Sequence, residues 1–143
     1  MKLLTVSSER LTGLGLAILR ISLGIIMFAH GAQKVLGAFG GHGLDATVMG
    51  MSGGLGIPAF LVYCNAFSEF LGGVLLIIGL GGRIASGLSF INMMVAVLLV
   101  HLTNGFFGPA GLEYPGVLAM MALSLTIAGP GSLSLDHKLF KKS

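Results

Sequence analysis

The sequence predicts an all-α integral membrane protein: a four-helix transmembrane bundle with a short interfacial helix in its first loop. Of 143 residues, 55% are hydrophobic and 9% charged, against about 25% charged in a soluble domain. The apolar residues gather into stretches long enough to cross about 30 Å of hydrocarbon. The 24 glycines and eight methionines suit helices that approach closely in lipid rather than a β-rich core. No linker divides the chain, so residues 1–143 read as a single transmembrane domain.

The first span covers residues 11–36, interrupted by Arg20 and closed by the polar set His30, Gln33 and Lys34. A Lys and a polar break precede it and no small-residue cleavage site follows, so it is retained. The second covers 58–80, with Pro58 at its first helical position and Glu69 near its middle. The third covers 83–102, with Asn92 central and His101 near its end. The fourth, 114–129, opens at Tyr114-Pro115 and stops at Gly129-Pro130-Gly131. At roughly 24 Å it is short and needs a thinned bilayer or shielding by its neighbours.

The glycine-rich loop between the first two spans is too long for a tight connection. Asp45 caps a short helix there, with Leu44, Val48, Met51 and Leu55 on one face. In the loop before the fourth span, Phe106 and Phe107 are headgroup anchors. The tail, 132–143, has a Ser cap, an acid in its first turn and terminal lysines, the pattern of a short surface helix. Outside the spans, Lys2, Arg10, Arg83, Lys138, Lys141 and Lys142 fall on one side and Lys34 alone on the other. That asymmetry places both termini on the cytoplasmic side of the membrane. It also accounts for the net charge of +3 without a basic groove, so nucleic acid is not a partner.

Charges inside the hydrocarbon cost about +2.5 to +3.5 kcal/mol each even on the lenient insertion scale. Arg20 and Glu69 therefore need partners, and depths counted from the outer ends of their helices predict a buried cluster of Arg20, Glu69 and Asn92. One reading is a buried ion pair that fixes helix register; the other is a proton or quinone-headgroup site. A second polar set gathers near the outer surface: His30, Gln33, Lys34, His101, Asn104 and Glu113. Histidine can hydrogen-bond a quinone carbonyl or exchange a proton near neutral pH. Two histidines without further patterning do not make a haem motif, and ties between loops and helix ends explain such residues as simply. Glu113 equally suits a helix N-terminus, where the dipole favours a carboxylate. Gly13-x3-Ala17, Ser68-x3-Gly72, Gly72-Gly73, Gly79 and Ala85-x3-Ser89 are small-residue ridges for helix packing or for another subunit. With Cys64 alone, no intramolecular disulfide, redox dithiol or cysteine-built metal site forms, and no phosphate loop, zinc-protease motif or nucleophile elbow is present.

Three patterns together resemble the DoxX-like membrane proteins over nearly the whole chain. They are R-x3-G-x3-F-x-H-G-x2-K at Arg20, Gly24, Phe28, His30, Gly31 and Lys34; E-x2-G-G-x5-G-x3-R at Glu69, Gly72, Gly73, Gly79 and Arg83; and G-P-G-x2-S-L-D at Gly129, Pro130, Gly131, Ser134, Leu135 and Asp136. The resemblance implies a compact four-helix membrane bundle with a role in membrane oxidoreduction; the family takes its name from a subunit of a thiosulfate:quinone oxidoreductase. It implies a small subunit that helps a redox partner reach the quinone pool, and disulfide chemistry there would need the partner's thiols. The alternative, from a different class, is a non-catalytic scaffold or assembly subunit that docks other membrane or periplasmic proteins, or further copies of itself. Solute transport fits less well, because four helices make a narrow path.

Overall fold

The computed structural model describes residues 9–140; Lys2, Lys141 and Lys142, which entered the count of basic residues, lie outside that range. Every secondary-structure element among the described residues is a helix or helical turn. Helix α1 (Glu9–Leu36) leads through a glycine turn into the short α2 (Gly43–Leu55), and α3 (Ala59–Ile78) follows. Helix α4 (Gly82–Ala96) continues through a π-helical turn (Val97–His101) and a 3₁₀ turn (Leu102–Asn104). Helices α5 (Glu113–Ala128) and α6 (Leu135–Phe140) complete the chain. Three helical stretches, 9–36, 59–78 and 82–104, are long and apolar enough to cross a membrane, whereas α5 has 16 residues. The short loop helix appears where expected, but Asp45 does not cap it. Helix α2 starts two residues earlier at Gly43, and Asp45 sits exposed in its first turn.

Helix α1 packs most extensively on α3, and α4 on α5, while α1 and α5 meet sparingly. The α1–α3 seam is built on glycine. A Cβ at Gly24 would lie 2.9 Å from the Gly73 carbonyl oxygen, one at Gly31 would run into the Phe70 backbone, and one at Gly73 into the Phe28 backbone. Phe28 and Phe70 close the seam with stacked rings 5.2 Å apart. Such proximity replaces the hydrophobic drive that lipid removes, since tightly matched surfaces still gain dispersion energy. The neighbouring Gly72 is buried, yet a Cβ there would meet nothing within 4 Å. Adjacent glycines should thus respond oppositely. Gly73→Ala is expected to lose about 2–3 kcal/mol by forcing the helices apart, and Gly72→Ala to gain about 0.4–1 kcal/mol through a stiffer unfolded chain. Thermal midpoints in detergent would check both, and a Gly73→Ala midpoint equal to the parent would refute the seam.

At the lower end, where α1 begins and α3 and α5 stop, two arginines close two helices. The buried Arg20 donates from Nη1 to the carbonyls of Leu76 and Ile77 (2.8 Å to the latter) and from Nη2 to Leu133 O at 2.9 Å. Arg83 Nη1 donates to Thr126 O and Ile127 O, both at 2.9 Å. The last carbonyls of a helix lack intrahelical donors and carry the negative end of its dipole, so a guanidinium suits them. Asp136 then reverses the sign: its carboxylate accepts from the Gly81 and Gly82 amides, each at 2.8 Å, at the start of α4. Ser134 Oγ accepts from His137 N at 3.2 Å and caps α6. Gly79, at φ 76°, keeps the α3 terminus open to Arg20, whose Nη1 lies 2.8 Å from where a Cβ would stand.

Candidate functional site

Arg20 therefore does not meet Glu69, and the expected cluster divides. Gly31 of α1 faces Glu69 and Phe70 of α3, while Arg20 faces Gly79. Eleven residues of α1 separate those two levels, about 16 Å. The depth count failed because it placed Lys34 at the outer boundary. Lys34 is instead inside the bundle, with its side chain reaching back down α1 as helical side chains do. Its ammonium lies 2.6 Å from both Glu69 carboxylate oxygens and donates to Oε1. It also donates to Asn65 Oδ1 at 2.9 Å. Asn65 Nδ2 donates to the same Glu69 Oε1 at 3.3 Å. The Glu69 side chain is 2% exposed and that of Lys34 25%. Asn92 joins one step removed, donating from Nδ2 to Ser68 Oγ at 2.7 Å, which in turn donates to Asn65 O at 2.9 Å.

This network floors a cavity of about 270 Å³ in the upper half of the bundle. His30, Lys34, Asn65, Glu69 and Asn92 contribute its polar atoms from α1, α3 and α4. Met51, Leu55 and Ile57 roof it from α2 and the following turn, and Val95, Leu99 and His101 wall it from α4 and the π-turn. Tyr114 and Leu118 close it from α5, with the Tyr114 ring 6.5 Å from that of His30. Glu69 Oε2 is buried against Lys34 Nζ at 2.6 Å; one N–H of the ammonium serves both carboxylate oxygens, a second goes to Asn65 Oδ1, and the third is left for the cavity. A donor backed by a buried carboxylate thus stands at the cavity floor, and a ring bearing carbonyl groups fits it.

His101 reaches the cavity because of the π-turn. Nine residues separate it from Asn92, which in a regular α-helix is two and a half turns and the opposite face. Bonds from i to i+5 widen each turn and slow the rotation per residue, which brings His101 back towards the side Asn92 faces. Its Nδ1 lies 2.8 Å from Ala110 O; with Nδ1–H donating there, Nε2 is the free acceptor. Three of the sequence candidates lie elsewhere. Gln33 ties the α1–α2 turn by donating from Nε2 to Phe39 O at 3.1 Å, at a non-glycine residue with φ 51°. Glu113 sits in the first turn of α5 and lines a separate groove with Leu19, Phe106, Met120 and Ser124. Asn104 Nδ2 donates to Val100 O at 2.7 Å and stays outside the cavity. Asn65 and Tyr114 went unremarked as site residues in the sequence. Asn65 was legible, since it stands four residues before Glu69 and shares its helix face.

The DoxX family model matches residues 15–102. The Bacillus subtilis (strain 168) protein named "Putative oxidoreductase CatD" is 34% identical over 128 residues, 90% of this chain and 89% of that protein. An uncharacterized protein of Haemophilus influenzae is 32% identical over 131 residues, 89% of this chain and 92% of its own. An uncharacterized membrane protein of Mycobacterium tuberculosis is 28% identical over 138 residues, 87% of this chain and 81% of its own. No solved structure matches. With the family model covering more than half the sequence and these relatives matched nearly end to end, the chain belongs to the DoxX family.

Proposed function

We propose that this chain is a small inner-membrane subunit that binds a quinone-class ring in the α1–α3–α4–α5 cavity and serves a redox partner there. The observation that carries this reading is the partly exposed Lys34 ammonium, held by the buried Glu69 carboxylate, at the floor of a mostly apolar cavity. A quinone, when bound, supplies two-electron, two-proton chemistry. The chain's own residues bind, orient and exchange protons. Lys34 donates to a ring oxygen, Glu69 holds the ammonium in place, and His101 Nε2 takes or returns a proton at the upper rim. Electrons come from a partner protein, because Cys64 has no second thiol in the chain.

The chain crosses four times in this reading, as one domain with both termini cytoplasmic. Helix α5 supports it by joining the level of His30, which Tyr114 approaches, to the level of Gly13 and Leu16, which Gly131 and Ser132 touch. It covers the height that α1 covers in that stretch. The orientation gains from Lys34 being paired inside the bundle. The two upper loops then contain no Lys or Arg, whereas Arg83 and Lys138 border the lower end, in keeping with the positive-inside bias.

Purified in mild detergent, the protein should carry co-extracted quinone or bind an added short-tailed one. At a hundredfold excess over Kd the ligand would stabilise it by about 2.7 kcal/mol, read as a raised thermal midpoint. Glu69→Gln should lower the affinity tenfold or more. No quinone in the extract, no thermal shift in the parent, and stable co-purification of another protein would favour the scaffold role instead.

A further inference from the structure

The walls of the cavity differ in how they are packed. Among the elements that line it, α2 and the π-turn contribute no buried residue, whereas α1, α3, α4 and α5 each contribute at least five. Apart from His101 at the end of the π-turn, the residues these two walls present are apolar and face outwards as well as inwards. Leu99 is 56% exposed, Leu55 45% and Val100 39%, and all three line the cavity. Leu99 stands 17 residues above the start of α4, about 26 Å, still within a hydrocarbon slab of about 30 Å. At that height the environment outside Leu99 is the acyl-chain region.

We infer that the cavity is loaded from the outer leaflet, through the gap between the C-terminal turn of α2 (Leu55) and the π-turn of α4 (Leu99). Its ligand is a lipid-dissolved amphiphile whose polar ring sits on Lys34 and Glu69 while an apolar tail stays in the opening. The ring's identity as a quinone rests on the function proposed above; the opening does not. At about 270 Å³ the cavity falls just below the 300–1,000 Å³ that encloses a drug-sized ligand, so it takes a single ring and leaves a long tail outside. Both sides of the gap are compliant. Gly50, Gly53 and Gly54 lower the helical preference of α2, and Gly56, at φ 67°, ends it. The π-turn holds a wider, more weakly packed turn. His101, the last residue of that turn, stands where the opening meets the cavity.

The chain contains no tryptophan, so Leu99→Trp puts a single indole in the opening, and Ile91→Trp puts one on the exposed side of α4 as a reference. In vesicles of phospholipid brominated along the acyl chains, both indoles should be quenched to a similar extent, and aqueous iodide should quench neither. Iodide quenching of the Leu99→Trp indole would overturn the inference, because the opening would then face water. Photolabelling by an azido-quinone with a decyl tail should fall tenfold or more in Leu99→Trp and Leu55→Trp and stay unchanged in Ile91→Trp. Parent-level labelling in both blocked variants would also overturn it. If the parent itself takes no label, the quinone reading fails, and the bromine and iodide measurements decide the opening alone.

Discussion

Removing one partner of the Lys34–Glu69 pair should cost more than removing both. Glu69 is buried and Lys34 three-quarters so, and a buried ion left without its counter-charge typically loses about 3–5 kcal/mol. The two single variants should not be equal. Lys34→Ala strands a carboxylate with almost no access to the cavity and is expected near the top of that range. Glu69→Ala leaves an ammonium that is a quarter exposed and still bonded to Asn65, and is expected near the bottom. The double variant Lys34→Met with Glu69→Leu should return to within about 1–2 kcal/mol of the parent, since a hydrophobic pair of similar volume is often neutral or better. The residual loss is the donor that Asn65 Oδ1 no longer has, about 1 kcal/mol. That double variant should nonetheless bind no quinone. Denaturant titrations in mixed micelles would measure all three. Additive single losses in the double variant would show that the two charges do not act as a pair.

The difference between stability and binding in that experiment is the point of keeping charges at such a depth. A membrane bundle gains nothing decisive from an ion pair that hydrophobic residues would replace, so its retention points to a task. Here Glu69 holds the Lys34 ammonium as a fixed donor at the end of a cavity, with Asn65, Ser68 and Asn92 locking the surrounding rotamers. Preorganisation of that kind keeps the ordering cost out of each binding event.

Much of this was written in the sequence at the level of elements. The spans at 11–36, 58–80 and 114–129 appear as helices Glu9–Leu36, Ala59–Ile78 and Glu113–Ala128, because hydrophobicity and the Pro and Gly breakers act locally. Residues 83–102 are also helical, but with a change of hand-over at Val97 that nothing in a run of apolar residues announces. What the sequence could not show was register between helices. Arg20 and Glu69 looked level because each was counted from its own helix end, and a one-turn error in where a helix meets the headgroups moves a charge by about 5.4 Å. Register is fixed by where glycines let backbones touch, and that requires knowing which glycines face each other. Gly24, Gly31 and Gly73 form the seam, whereas Gly72, identical in sequence terms to its neighbour, faces open space. Asp136 was read as an acid at the start of a surface helix, and it is that; its second task, binding the Gly81 and Gly82 amides across a separation of more than fifty residues, is tertiary.

The lower end gives the second large effect and tests the revised register directly. Arg20→Ala removes the donors of three carbonyls, Leu76, Ile77 and Leu133, and should cost about 3 kcal/mol or more, given about 1.5–3 kcal/mol for each charged hydrogen bond lost and partial repair by water. Arg20→Lys should recover less than half of it, because one ammonium cannot span the α3 terminus and the tail as a planar fork does. Asp136→Ala should cost about 1–2 kcal/mol through the lost cap on α4 and should free the tail to trypsin at Lys138. Neither variant should alter ligand affinity, since the cavity floor lies about 16 Å above Arg20 along α1. The decisive comparison is a pair of double-mutant cycles. Sites that far apart with no shared partner add within about 0.3–0.5 kcal/mol, so Arg20→Ala with Glu69→Ala should be additive, whereas Lys34→Ala with Glu69→Ala should show a coupling of several kcal/mol. A coupling above about 1 kcal/mol between Arg20 and Glu69 would return them to one cluster and overturn the register described here.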